Sequence, residues 1–225
     1  LITLGIGIVW LPDALVRQTA SMLPAAKRTE IGQFILADMA DLAGRPCSGT
    51  RGLQVMRELS TAVFGPGAPL VVVLPSSAQS TAALPGNIIV VNRSLVEDHE
   101  GPEVLAGFLL TEDLRRNTRP PMRRLLDEAG IFATLRLMTT GEINRSHLRD
   151  HAAMLLSNSP APVDTPALLE RFERAGVSTE PFAYALDLSG ESVLHLIEAD
   201  PMRGRLRAPL MSDQDWIALQ EICGG

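Results

Sequence analysis

Two short runs of aliphatic, mostly β-branched residues constrain the fold most: LVVVL at 70–74 and IIVV at 88–91. Both are bounded by turn residues, and Leu84-Pro85-Gly86-Asn87 breaks the chain before the second run, so both are predicted to be buried strands. On either side of them, apolar residues recur at helical spacing. That spacing predicts helices at about 13–23, 29–42, 53–64, 103–116, 121–138, 147–156, 167–175 and 212–222. The sequence therefore predicts an α+β fold, a helix-rich domain around a small β-sheet.

The length of 225 residues fits one domain with a sizeable core, in three parts. Residues 1–11 carry no charge and form an apolar N-terminal stub. Eleven residues are too few to cross a bilayer, which takes about 20. The stub is therefore predicted to be either a buried strand or the end of a membrane anchor or signal segment. Residues 12–158 form the main domain, and 159–225 form a C-terminal helical extension packed on it, with the Pro-rich loop at 159–166 as the joint.

Charge and residue counts exclude several classes of function. The formal net charge of −6 argues against nucleic-acid binding through overall charge. Four His and two Cys are too few for a zinc-finger framework. The sequence also has no G-x-S-x-G elbow and no glycine-rich phosphate loop.

A series of segments in a fixed order carries a family resemblance. The first strand is followed by Ser80-Thr81-Ala82-Ala83-Leu84-Pro85-Gly86-Asn87, then by the second strand, then by a helix that reads VLAGFLLTEDLR at 104–115. Upstream lies Thr29-Glu30-Ile31-Gly32. This order resembles the membrane-associated HExxH zinc metallopeptidases, which include the CAAX prenyl endopeptidase, the bacterial heat-shock membrane endopeptidase and the mitochondrial overlapping-activity protease.

The resemblance implies a zincin-like fold and a substrate cleft. In the family the strand after Leu-Pro-Gly borders that cleft, so an extended peptide is expected to add to a sheet edge here. The candidate cleft residues are Ser80, Leu84, Pro85, Gly86 and Asn87.

The chain departs from the family at the residues that hold zinc. Two His one helical turn apart bind the metal in the family, and the Glu between them polarises a metal-bound water. Here the two His positions hold Thr111 and Arg115, and Glu112 alone is retained. The third family ligand, a downstream Glu, is missing from both candidate stretches, 151–153 and 163–165. Glu112 and Arg115 are instead expected to form an ion pair on the helix surface, and neither a metal nor another cofactor is expected.

A rebuilt metal site is the alternative. His147 and His151 stand four residues apart, as on one helix face, and with Glu112 they would make a His/His/Glu ligand set. The competing interpretation of the two His is an exposed, polar start of a helix.

A run of cations gives a second candidate surface. Five Arg fall within ten residues: Arg115, Arg116, Arg119, Arg123 and Arg124. They predict either a solvated surface offset by Asp113, Asp127 and Glu128, or a patch that contacts anionic lipid or an acidic partner.

These observations lead to one predicted function with two alternatives. The chain is predicted to be a catalytically inactive metallopeptidase-like protein that binds a protein or peptide partner near a bacterial membrane, and no nucleic acid. The alternatives are an active peptidase that uses Glu112, His147 and His151, and a purely structural assembly module. The expected location is the periplasm or the periplasmic side of the inner membrane, with the cytoplasm as the alternative. A disulfide between Cys47 and Cys223, the two cysteines of the chain, is expected in that oxidising compartment.

Overall fold

The computed structural model describes residues 15–77, 80–205 and 208–224. The predicted stub at 1–11 therefore lies outside the described residues. Within these ranges the helices are 15–22 (α1), Ala25–Ala43 (α2), Thr50–Phe64 (α3), Ser94–Glu97 (α4), Pro102–Thr118 (α5), Pro121–Thr140 (α6), Arg145–Ser157 (α7), Thr165–Ala175 (α8), Glu180–Leu186 (α9), Leu194–Glu198 (α10) and Asp213–Gln220 (α11). The strands are Leu70–Leu74 (β1), Thr81–Leu84 (β2) and Ile88–Asn92 (β3), and a 3₁₀ turn, Glu221–Cys223, follows α11. The fold is α+β and helix-rich, as predicted.

The sheet is small and mixed, with the strand order β1-β3-β2. β1 runs parallel to β3, and β2 runs antiparallel to it. The strand that follows Leu-Pro-Gly is therefore the central strand, and both of its edges are paired. The outer strands of the sheet are β1 and β2, so the expected addition of a peptide to a sheet edge would have to use one of these two strands rather than the strand after Leu-Pro-Gly.

Alternation along the strands divides the interior into two cores. On one face Val71, Val73, Ile89 and Val91 join a cluster with residues of α3, α5 and the C-terminal helices. On the other face the sheet packs against α1, α2, α6 and α7 through Leu74, Ala82, Leu84, Ile88 and Val90. Because successive strand residues point to opposite faces, one short sheet supports both cores. Residues of the C-terminal helices, such as Phe172 and Trp216, belong to the first core.

Helix ends follow local chemistry. Asn144, Asp164 and Ser212 precede α7, α8 and α11, and their side chains accept a hydrogen bond from the first turn.

One predicted helix is interrupted, because Gly130 inside α6 has a φ of 84° and a ψ of 175°. A glycine adopts this conformation readily, so α6 bends there into two halves.

Within the described residues, no helix is both long enough and apolar enough to cross a membrane.

Candidate functional site

Glu112 lies at the centre of the candidate site. It belongs to α5, which begins with Pro102 in its first turn and packs against β2. Its side chain is 2% exposed. A carboxylate this deeply buried needs several donors to replace its hydration.

Three donors supply those hydrogen bonds. The Thr81 hydroxyl donates to Oε2 at 3.0 Å, and the Ala83 main-chain N–H donates to Oε1 at 2.8 Å. Arg115 Nη1 donates to Oε2 at 3.0 Å. The predicted pair between Glu112 and Arg115 is therefore present, but it is buried rather than on the helix surface.

The Ala83 N–H is available because β2 is an edge strand. Ser80 accepts from the N–H of Asn92 on β3, and antiparallel residues alternate between bonded and non-bonded pairs, so Ala83 turns its own groups away from β3. Its carbonyl accepts from Arg124 Nη2 at 3.0 Å. Both outward groups of the edge at Ala83 are thus held by side chains of the same chain.

Thr111 and Arg115, the two positions that the resemblance aligns with zinc-binding histidines, differ in what they contact. Thr111 is buried, and its hydroxyl donates to the Gly107 carbonyl of its own helix at 2.8 Å. Arg115 reaches further, because its Nε donates to the carbonyl of Ala161 in the Pro-rich loop at 2.8 Å. Arg115 therefore ties that loop to Glu112.

A cleft of about 360 Å³ opens above Glu112. Its walls are the start of β2, the second half of α5, α6, the end of α7 and the Pro-rich loop. The lining residues include Thr81, Ala82, Arg115, Arg119, Arg124, Glu128, Met154, Leu155, Asn158, Ser159, Pro160, Ala161, Pro162, Val163 and Asp164. The cleft thus combines charged side chains on α5 and α6 with apolar side chains on α7 and the loop.

Arg124 is a half-buried cation of this cleft. Burial lowers the pKa of Arg124, the nearby carboxylates Glu112 and Glu128 raise it, and Arg119 and Arg115 lower it further. An arginine keeps its charge under such conditions because its ordinary pKa is far above neutral. The cleft therefore contains fixed positive charge between two carboxylates.

The two histidines of the alternative metal site, His147 and His151, differ in burial. His151 is buried, and its Nδ1 pairs with Glu128. The interpretation as an exposed helix start is thus wrong for His151, because α7 turns this side chain towards α6. His147 is half-buried one turn earlier. Within the described part of the chain, no three His, Cys, Asp or Glu side chains form a cluster that could hold a metal ion.

The two stretches considered for the third zinc ligand, 151–153 and 163–165, lie at or near the cleft, and neither contains the glutamate of the family. His151 to Ala153 lies on α7. Asp164 lines the cleft, and its carboxylate accepts the N–H of Ala167 at 3.1 Å, which caps α8.

The predicted cleft residues lie beside the cleft rather than in it. Ser80 pairs with β3, and Leu84 is buried in the second core. Pro85, Gly86 and Asn87 form the turn after β2 and line a separate depression with Thr29 and Arg116. The residues of this segment that line the cleft are Thr81 and Ala82.

The five arginines are largely paired. Arg116 pairs with Asp113 at 2.8 Å, and Arg119 pairs with Asp127 at 3.0 Å. Arg123 lies 3.9 Å from the same Asp127. Arg115 and Arg124 point into the cleft, as described above. The acids named from the sequence thus offset most of this charge.

The two cysteines form the predicted pair. The Sγ atoms of Cys47 and Cys223 are bonded, and the two Cα atoms are 4.6 Å apart. The bond joins the loop before α3 to the turn after α11.

Comparison with known protein families and with curated proteins finds no match to this chain.

Proposed function

We propose that this chain is a catalytically inactive, metallopeptidase-like protein that binds an extended protein or peptide segment in the cleft above Glu112. The observation that carries the proposal is the state of Glu112, whose carboxylate is held by Thr81, Ala83 and Arg115. A general base needs an oxygen directed at a water, and here three protein donors engage both oxygens.

The close approach of the Glu-x-Gly segment to the Leu-Pro-Gly turn supports a zincin-like scaffold. A Cβ on Gly32 of α2 would lie 1.9 Å from the Pro85 carbonyl oxygen, and a Cβ on Gly86 would lie 2.5 Å from Cα of Thr29. The Glu-x-Gly segment and the Leu-Pro-Gly turn thus approach so closely that glycine is required at both positions. Two segments that resemble the family separately meet in space.

The chemistry at position 115 supports the loss of catalysis. In the proposed scaffold, Arg115 occupies the place of the second zinc-binding His. Its guanidinium is a permanent cation next to Glu112, so a Zn²⁺ ion held there would be repelled. The same side chain replaces a metal ion as the positive partner of the carboxylate.

The shape of the cleft supports binding of an extended segment. Met154, Leu155, Pro160 and Val163 offer apolar contacts, while Asn158 offers a polar one. Strand addition at Ala83 is blocked, because its N–H and carbonyl are already engaged. We therefore expect recognition through side chains inserted into the cleft rather than through continuous main-chain pairing.

We also propose an extracytoplasmic location. A disulfide such as that between Cys47 and Cys223 persists in oxidising compartments and is rare in a reducing cytosol.

Unfolded casein tests the proposal, because it presents many extended segments. The purified chain should retain immobilised casein fragments and leave them intact, and elemental analysis should find no stoichiometric zinc. Cleavage of casein together with about one zinc per chain would overturn the claim of inactivity.

A substitution at the mouth of the cleft tests the binding site. Ser159→Trp should fill the cleft and reduce casein retention several-fold. The matched control is Ser146→Trp, at an exposed serine near the other end of α7, which should leave retention unchanged. Equal retention by both variants, or no retention by the parent chain, would refute peptide binding in this cleft.

A further inference from the structure

Four large apolar side chains are exposed where α1 meets the second half of α6. Their exposed fractions are 85% for Phe132, 68% for Met22, 48% for Met138 and 43% for Leu135. Met22 and Met138 line one groove of about 570 Å³. Phe132, Leu135 and Met138 follow each other at three-residue spacing on the helix and are therefore neighbours. We call these four residues the α1–α6 apolar face.

The second half of α6 is apolar on two sides. Ala133 and Leu137 point inward and are buried, while Phe132, Leu135 and Met138 point outward. A helix that packs on one core needs a single apolar stripe, so the outward stripe indicates a second contact. Contiguous exposed apolar residues of this kind mark interaction surfaces.

The chain that leads into α1 indicates what that contact is. α1 spans residues 15–22, so residue 15 lies about 10 Å along the helix from Met22. Upstream of it, residues 1–11 carry no charge. The uncharged residues 1–11 thus precede a helix that carries part of the exposed α1–α6 apolar face. One apolar medium would suit both the segment and the face.

The charges around the face are balanced. Lys27 lines the groove and pairs with Glu30 at 2.8 Å. Arg136, next to Leu135, pairs with Glu142 at 3.4 Å. Because Lys27 and Arg136 each have an acid beside them, attraction of these two cations to anionic headgroups is not the main force available here.

We infer that the α1–α6 apolar face lies against a lipid bilayer, with Phe132, Leu135, Met138 and Met22 in the boundary between headgroups and acyl chains. The binding is driven by burial of apolar surface, so it depends little on salt or on anionic lipid. This inference is independent of the proposed function, because the face and the cleft are formed by different residues.

Vesicle flotation of the full chain tests the inference. The chain should float with vesicles of phosphatidylcholine alone and of equal parts phosphatidylcholine and phosphatidylglycerol, at low and at high salt. Phe132→Asp should weaken partitioning into the vesicles about tenfold or more, since an aromatic ring that inserts into the bilayer is replaced by a charge. The matched control is Leu188→Asp, at a side chain that is 90% exposed in the loop between α9 and α10.

A reporter at the face checks its depth. Trp emission from Phe132→Trp should be quenched by brominated phosphatidylcholine beyond the signal of the parent chain, whose own tryptophans are Trp10 and Trp216. Emission from Leu188→Trp should not.

Three results would overturn the inference. The first is a parent chain that does not float, or a Phe132→Asp chain that floats as well as the parent. The second is binding limited to anionic vesicles and lost at high salt, which would assign it to arginines instead. The third is self-association in sedimentation that Phe132→Asp abolishes while vesicles bind neither chain, which would make the face a contact between two copies.

Discussion

The main-chain N–H of Ala83 donates to the buried carboxylate of Glu112 at 2.8 Å, which joins the edge strand β2 to helix α5. Since Arg124 occupies the Ala83 carbonyl, both outward groups of the strand at this residue are satisfied within the chain. An exposed strand edge is a site for pairing with other chains, and proteins commonly cover it. Here a carboxylate and a guanidinium cover it, so Glu112 has a structural use that does not require metal.

Loss of the Glu112 carboxylate should destabilise the fold strongly. Glu112→Ala removes the acceptor of three hydrogen bonds and leaves the Ala83 N–H and the Thr81 hydroxyl buried without it. Removal of one partner from a buried, hydrogen-bonded charge pair costs about 3–5 kcal/mol. We expect a loss near the lower end, because Arg115 is 19% exposed and can regain water. Urea unfolding gives the free energy of unfolding of both chains.

An exposed ion pair provides the control for that experiment. Glu30 also lies three residues from its cationic partner, Lys27, but its side chain is 48% exposed. Glu30→Ala should change the free energy of unfolding by less than about 0.5 kcal/mol. If Glu112→Ala costs no more than Glu30→Ala, the carboxylate does not hold β2 on α5.

Placing histidine at both position 111 and position 115 should not produce a protease. Thr111→His with Arg115→His would place two His one turn apart on α5, yet the other carboxylates of the cleft, Glu128 and Asp164, are already engaged by His151 and by the Ala167 N–H. The change also removes the link from Arg115 to Ala161. Two His without second-shell support should hold zinc weakly, so we expect sub-stoichiometric zinc by elemental analysis and intact casein. Robust cleavage of casein by this double variant would mean that a third ligand exists.

Local patterns account for the elements that the sequence predicts. LVVVL and IIVV are rich in β-branched residues, and they form β1 and β3. β2 was missed because TAAL has no strand pattern, and its pairing with the central strand makes it a strand. The helices α4, α9 and α10 have only four to seven residues, too few to show helical periodicity.

The site was predicted only where its residues are close in sequence. The pair of Glu112 with Arg115 follows from their spacing of three. Ala83 and Arg124 reach the same site through the strand register and the packing of α6, which no local pattern reveals. Likewise, His151 was expected to be exposed, and Glu128 from a neighbouring helix buries it.

Acid should weaken the fold partly through Asp187. Hydrogen bonds from Ser192 and Ser189 hold the pKa of Asp187 well below its ordinary value of about 3.9. A carboxyl whose pKa is lower in the folded chain contributes stability above the unfolded pKa and loses it as pH falls below that value. Ser192→Ala removes the side-chain hydrogen bond that lowers the pKa of Asp187 most. The urea midpoint of this variant should therefore fall less steeply between about pH 5 and about pH 3. An unchanged pH dependence would show that Asp187 keeps its pKa without this serine.

Reduction of the disulfide should cost more than any single hydrogen bond in the molecule. Cys47 and Cys223 are 176 residues apart, so their bond restricts the unfolded chain strongly. The loop-entropy account gives about 5 kcal/mol for a loop of this length, and removal of native disulfides typically costs about 2–5 kcal/mol. The bond also holds the last turn near α3, where a Cβ on Gly52 would lie 2.7 Å from Cβ of Ile222. We therefore expect dithiothreitol to lower the urea midpoint of the parent chain markedly. The chain with both cysteines changed to serine should have that lower midpoint with or without the reductant. Two thiols titrated in the unfolded, unreduced parent chain would show that the bond is not formed, and the argument for an oxidising compartment would then be lost.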